Sequence, residues 1–208
     1  MARLTVIDRG DVDIDFADRS IALDGLYYVP ASIVKDKKII KHNTGVYFHS
    51  APIDPMTNLC SIDYEQAEQQ GMFKIDMLNV SVYSLVRNEE HLVELMNRPL
   101  DWDVFSLKEF VQELFHLGNH SDLTARLKPK SIEHLAIILA LIRPGKKHLQ
   151  RKCASLGFDS IANEIWMQGS PDEYVFKKSH AIGYAMLVYV HANILLERMQ
   201  NDVTLFSI

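Results

Sequence analysis

The stretch Asp11-Val12-Asp13-Ile14-Asp15-Phe16 decides how this chain is read, because acids and apolar residues alternate through it without a break. On a β-strand, residues two apart share a face. Val12, Ile14 and Phe16 can then pack on a core while Asp11, Asp13 and Asp15 stand in a column on the other side. Neighbouring carboxylates repel one another, and a cation relieves that cost. The expectation is a divalent-metal site on a strand. Hard cations such as Mg²⁺ take carboxylate oxygens, and a pair of them can clamp both oxygens of an in-line phosphoryl displacement. A solvated strand face, or an acidic loop after Gly10, would account for the hexapeptide alone.

Working outward, a short strand is expected at residues 3–8, with Gly10 as the turn into the acidic strand. An apolar, β-branched stretch at 21–34 is broken by Pro30. Lys35, Lys37, Lys38, Lys41 and His42 form a basic patch against the single acid Asp36, followed by Gly45 and a strand Val46-Tyr47-Phe48. Gly45 gives a backbone that a ligand can approach closely. After a proline-containing loop at 49–60, Asp63 caps a short helix that Gly71 stops. Phe73-Lys74-Ile75-Asp76-Met77 then alternates again, which makes a second strand with a carboxylate on its polar face.

The later chain reads as helical. Asn79 is placed to cap a helix over 80–97, and Ser106-Leu107-Lys108-Glu109 fits a capping box opening a helix that ends near Gly118. An apolar helix runs from Ser131 to Ile142 and is ended by Arg143-Pro144-Gly145. Around it, Arg126, Lys128, Lys130, Arg143, Lys146, Lys147, Arg151 and Lys152 stand against one acid, Glu133. This is a local basic footprint hidden by a net charge of −5, although a solvated surface would look the same. A long apolar helix is expected from Tyr174 to Gln200, with Lys178, Ser179 and His180 at its N-terminal end. Backbone N–H groups and the helix dipole favour phosphate there.

The chain has 208 residues, enough for one domain or two small ones. No secretory signal is expected at residues 1–8, and the longest apolar run, Ala181 to Leu196, is interrupted by Tyr184, His191 and Asn193 and too short to span a membrane. Cys60 and Cys153 have no metal-ligand spacing and read as reduced thiols of a cytoplasmic protein.

Five of these blocks, taken in order, resemble the bacterial DNA polymerase III α subunit, the C-family of DNA polymerases. They are the acidic strand with Arg19 after it; His42 to Val46 (His-x-x-Gly-Val); Asp63 to Leu78, with Glu68, Gly71 and Lys74-Ile75-Asp76-Met77-Leu78; Leu127-Lys128-Pro129 to Arg143-Pro144-Gly145; and Phe176 to Tyr184, where Lys177 replaces the family's Asn. The resemblance implies a polymerase-β-like nucleotidyltransferase palm in an α+β fold, with Asp13, Asp15 and Asp76 as catalytic carboxylates holding two Mg²⁺ ions or Mn²⁺. Arg143, Lys178, Ser179, His180 and Gly45 would then meet the triphosphate or the primer-template backbone.

The implied activity is DNA-templated DNA synthesis from dNTPs by a strongly reduced version of the family, and the compaction of the chain suggests a virus-encoded or otherwise reduced form. The division expected is a palm-like region at 1–125 and a basic, helical completing region at 126–208, with the C-terminal helix packed on the sheet. The chain departs from the family: it lacks a Gly-Ser-rich motif before the acidic strand, and residues 146–175 are all that separate the Arg-Pro-Gly and Lys-Ser-His blocks. These departures keep open an alternative, a non-autonomous subunit that binds DNA or a second protein chain of a replication complex.

Overall fold

Residues 12–168 and 176–205 are described by the computed structural model. The chain divides into two compact units, Met1–Ser84 and Leu85–Ile208, so the boundary falls at 84/85 rather than at 125/126. The expected strand at 3–8, Gly10 and Asp11 lie outside the described residues, as do residues 174 and 175, where the last helix was expected to begin.

The first unit is α+β. Its elements run β1 (Val12–Phe16), α1 (Arg19–Leu23), β2 (Val29–Lys35), β3 (Lys38–Tyr47), α2 (Tyr64–Gln69) and β4 (Ile75–Asn79). They form a mixed four-stranded sheet in the order β1-β4-β3-β2. β1 runs parallel to β4, whereas β4 and β3, and β3 and β2, are antiparallel. Both alternating segments of the sequence are strands, as their period of two requires.

Among the described residues β1 is an edge strand, and its apolar side is thinly covered: Ile14 is 39% exposed and Val12 and Phe16 are half-buried. Val29, Ala31, Tyr47, Cys60 and Ala67 form one core cluster of the unit, and Val46, Met77, Val80 and Val82 are buried as well. Asp63 joins local and tertiary structure. One carboxylate oxygen accepts from Glu65 N at 2.9 Å and caps α2, and the other accepts from Val34 N on β2 at 2.7 Å. Gly71, at φ +85°, lets the chain leave α2.

Two expectations in this unit need correction. The strand before Tyr47 begins at Lys38, not Val46, because the basic patch is itself one arm of a β-hairpin. Asn79 caps no helix: it lies in β4, and its side-chain oxygen accepts from Arg19 N at 2.8 Å.

The described part of the second unit is helical: α3 (Glu89–Asn97), α4 (Lys108–Gln112), α5 (Ser121–Leu127), α6 (Ile132–Leu141), α7 (Gln150–Leu156) and α8 (Lys178–Leu205), joined by 3-10 turns. Asn88 caps α3, accepting from His91 N. The expected capping box does not form, because Ser106 closes a 3-10 turn and α4 starts at Lys108, with Leu107 in the cap position and no side-chain cap hydrogen bond. α6 matches expectation, with Ser131 as its cap.

α8 is 28 residues long and packs on α6 and α3. By length and composition its stretch Lys178–Asn201 could cross a membrane, which corrects the expectation that no such run exists. Its polar groups are nonetheless used inside the unit. Asn193 Nδ2 donates to Leu95 O, Tyr189 Oη donates to Arg98 O, and His191 Nδ1 accepts from Phe115 N. Glu197 receives Arg87, His91 and Arg98 and ties α8 to the α3 region.

Candidate active site

Strand register brings the acids of β1 and β4 together. Asp13 is the direct partner of Asp76 in the parallel β1–β4 ladder. Paired residues of neighbouring strands share a face and lie about 4.8 Å apart. Asp15, two residues on from Asp13, lies on the same face. The three carboxylates expected to act together therefore occupy one face of adjacent strands.

Their electrostatics differ. Asp15 is exposed as a residue, yet partial burial of its carboxyl, and then the charge of Asp13, push its pKa above the ordinary carboxylate value. Tyr83 feels the same acid: its phenol is pushed up first by burial and then by Asp15. Asp76 is engaged on both oxygens. Lys74 Nζ donates to Oδ2, and the Thr44 hydroxyl donates to Oδ1 at 2.7 Å.

His42 organises the other side of Asp76. Its Nδ1 accepts from Gly45 N at 2.9 Å and from Thr44 N at 3.3 Å. A ring nitrogen that accepts two backbone N–H groups carries no proton. The 3.6 Å approach of Nδ1 to Asp76 Oδ1 is therefore a contact between two acceptors and not an ion pair. Burial, and then the charge of Lys74, lower the His42 pKa, which agrees with that tautomer. The Tyr64 ring supports both groups, edge-on to His42 at 5.3 Å and 5.7 Å from Lys74 Nζ.

Gly45 faces Asp76 across the β3–β4 ladder. A Cβ there would lie 2.7 Å from Lys74 Cδ, 2.9 Å from His42 Nδ1 and 3.0 Å from Ala31 Cβ. The absent side chain makes the space in which Lys74 and His42 converge. Arg19 completes the surroundings, with Nη1 donating to Asn43 O on β3 and to Met77 O on β4. A cleft of about 340 Å³ opens beside these groups, lined by Arg19, Tyr28, Lys41, His42, Thr44 and Gly45 among others.

The other residues expected at a triphosphate all belong to the second unit. The Arg143 guanidinium lies over the Phe176 ring at 4.6 Å, and its Nε is buried with no hydrogen-bond partner among the described residues. Lys178 opens α8 and is exposed, as is Ser179, while His180 is half-buried. The basic block is partly structural. Lys146 is buried and donates to Met167 O, and Lys152 pairs with Glu164 at 2.6 Å.

The donor set on the sheet suits a hard divalent cation: oxygen ligands only, from crowded carboxylates whose repulsion a cation would relieve. Among the described residues, no three His, Cys, Asp or Glu side chains converge as a ready-made metal-binding group. Side-chain rotation of Asp13 and Asp15, and release of Asp76 from Lys74, would be needed to share an ion.

No family model matches this chain, and no curated protein matches it.

Sequence reading missed the roles of His42, Thr44, Lys74 and Arg19. The signal for His42 was available, since an imidazole three residues before a glycine can reach back to that glycine's N–H. Lys74 was equally visible two residues before Asp76 on the same strand face.

Proposed function

We propose that the first unit carries a nucleotidyltransferase active site of the polymerase-β-like palm kind, and that the chain carries out DNA-templated DNA synthesis. The observation that supports this best is the pairing of Asp13 with Asp76, with Asp15 on the same face. Asp13, Asp15 and Asp76 would hold Mg²⁺ or Mn²⁺. The ions would neutralise phosphate charge and polarise the transferring phosphoryl group.

In the reaction, the primer 3′-oxygen forms a bond to the α-phosphorus of a dNTP. The bond from that phosphorus to the pyrophosphate oxygen breaks, and pyrophosphate leaves. The hydroxyl proton leaves to water, since Asp15 would be occupied as a ligand of the ion. Thr44 orients Asp76, from which Lys74 would withdraw towards the phosphate as the ion enters. Arg143, Lys178, Ser179 and His180 remain the groups proposed for the triphosphate or the DNA backbone.

Primer extension on a primed template with Mg²⁺ or Mn²⁺ tests this reading. Wild-type extension that disappears in Asp13→Ala/Asp15→Ala supports it, and a wild type that never extends the primer contradicts autonomous synthesis.

A second reading rests on the saturation of Asp76 by Lys74 and Thr44, which satisfies that acid within the protein. On this reading the chain is a polymerase-derived subunit that binds DNA or another replication protein in the cytoplasm. Extension that appears only after a second replication protein is added selects it.

A further inference from the structure

The β2–β3 hairpin is the least explained part of the first unit. β3 meets β4 only at Gly45 and Val46, whereas β2 and β3 remain paired out to Lys35 and Lys38. The outer half of the hairpin is therefore a two-stranded ribbon extending past the four-stranded sheet. Its turn is Asp36-Lys37, both in the left-handed region at φ 52° and 61°. That geometry matches the right-handed twist of a two-residue hairpin.

The ribbon concentrates positive charge. Lys35 and Lys38 are direct cross-strand partners, so two ammonium groups share one face. Like charges placed directly opposite destabilise a strand pair. Lys37 sits on the turn and Lys41 further along β3, and all four lysines are exposed. None makes an ion pair with a described residue, and Asp36 is the sole acid between positions 35 and 41. Between the lysines lie the cross-strand pairs Ile33–Ile40 and Val34–Ile39.

The free edge of β2 is not open for another strand at Ser32 and Val34, because Asp63 accepts from Val34 N and Ser32 bridges to Asp63. What the ribbon offers is its charged surface. A two-stranded ribbon fits the major groove of duplex DNA.

We propose that the ribbon formed by residues 33–41 grips duplex DNA through phosphate contacts from Lys35, Lys37, Lys38 and Lys41. The proposal deepens the reading above by naming where the duplex is held, and it rests on that reading for the choice of DNA among polyanions. Binding of phosphates between Lys35 and Lys38 removes the repulsion that the free ribbon carries.

The test is fluorescence anisotropy with a labelled duplex in EDTA, over a salt series, so that neither metal nor catalysis enters. Three proteins are compared: wild type, Lys35→Gln/Lys37→Gln/Lys38→Gln/Lys41→Gln, and Asp13→Ala/Asp15→Ala. Wild type should bind with a steep salt dependence. The lysine variant should bind at least about ten-fold more weakly at low salt, and its log–log salt slope should be shallower by about 3.6, since each of the four phosphate contacts contributes about 0.9. The aspartate variant should keep wild-type slope, which separates this test from the fate of the polymerase reading.

Circular dichroism should be unchanged in the lysine variant, because the replaced groups are exposed, and its thermal unfolding should stay the same or rise slightly as the Lys35–Lys38 repulsion is removed. An unchanged affinity and slope in a folded lysine variant would overturn the proposal and leave the lysines as edge protection against aggregation. Failure of wild type to bind the duplex, or preference for acidic lipid vesicles over it, would overturn it equally.

Discussion

Helix α6 and strand β1 are both regular, well-patterned segments, yet they are treated in opposite ways. α6 is buried continuously from Leu135 to Leu141. β1 has Asp13, Ile14 and Asp15 all exposed on the edge of a sheet. The difference extends to their units. The second has a broad core that includes Phe105, Leu117, Leu135, Ile138 and Ile161. The first has among its described residues a cluster of Val29, Ala31, Tyr47, Cys60 and Ala67, three of them small, and leaves Ile21, Leu26, Tyr27 and Val34 exposed. One unit is held together by apolar burial. The other keeps its sheet face for charge and orders it with His42, Thr44, Lys74 and Arg19.

Core truncation gives the largest contrast. Ile138→Ala removes a fully buried side chain and should destabilise the second unit by about 3 kcal/mol. Ile14→Ala, at a partly exposed site, should cost the first unit less than about 1 kcal/mol. Chemical denaturation of the two variants measures both values, and equal losses would break the comparison.

A smaller effect is expected at the ion cluster. Glu197→Gln should lower stability by about 2 kcal/mol at neutral pH, between the values for exposed and buried pairs. Hydrogen bonds, led by that from Arg87, hold the Glu197 carboxyl down at about 2 against an ordinary 4.5. A depressed folded pKa means that its contribution is complete above about 4.5 and is lost as the pH falls towards 2. Wild type should therefore lose its advantage over the glutamine variant across that window, which unfolding curves at several pH values would register.

The smallest effect lies on the carboxylate face. Asp13→Asn removes the second cause of Asp15's raised pKa and leaves burial, so the Asp15 titration should move down, but not fully to its ordinary value. Since the folded pKa is raised, ionised Asp15 costs stability above its unfolded pKa, and the cost disappears as the pH falls through the raised value. NMR titration of the carboxyl carbon follows this directly. An unmoved Asp15 would mean that the two acids do not interact.

What was legible in the sequence follows the range of the interactions. The acidic alternation at 12–16, the Asp63 cap with its Gly71 stop, and α6 with its Ser131 cap are written in spacings of two to four residues. The start of β3 was not legible, because Ile39-Ile40 breaks alternation and the surrounding lysines mask the strand. Asn79 and Ser106 carried valid local cap signals that tertiary context overrode, one by Arg19 and the other by a 3-10 turn. The insertion of β4 between β1 and β3 depends on pairing across distant positions, which no local pattern encodes. The carboxylates of the candidate site could be read individually. That Asp13 stands directly opposite Asp76, and that Asp76 already holds Lys74 and Thr44, required the fold.

The proposed function depends above all on Asp13, Asp15 and Asp76 forming one cation site. The most direct measurement is thermal and denaturant unfolding of wild type and Asp13→Asn/Asp15→Asn with increasing Mg²⁺ or Mn²⁺, read by a probe in the first unit such as Tyr28 or Tyr47 fluorescence. Wild type should gain about 2.7 kcal/mol when the ion reaches about a hundred times its dissociation constant, and the double variant should gain nothing. A wild type indifferent to both ions, or a double variant that is stabilised equally, would contradict the claim.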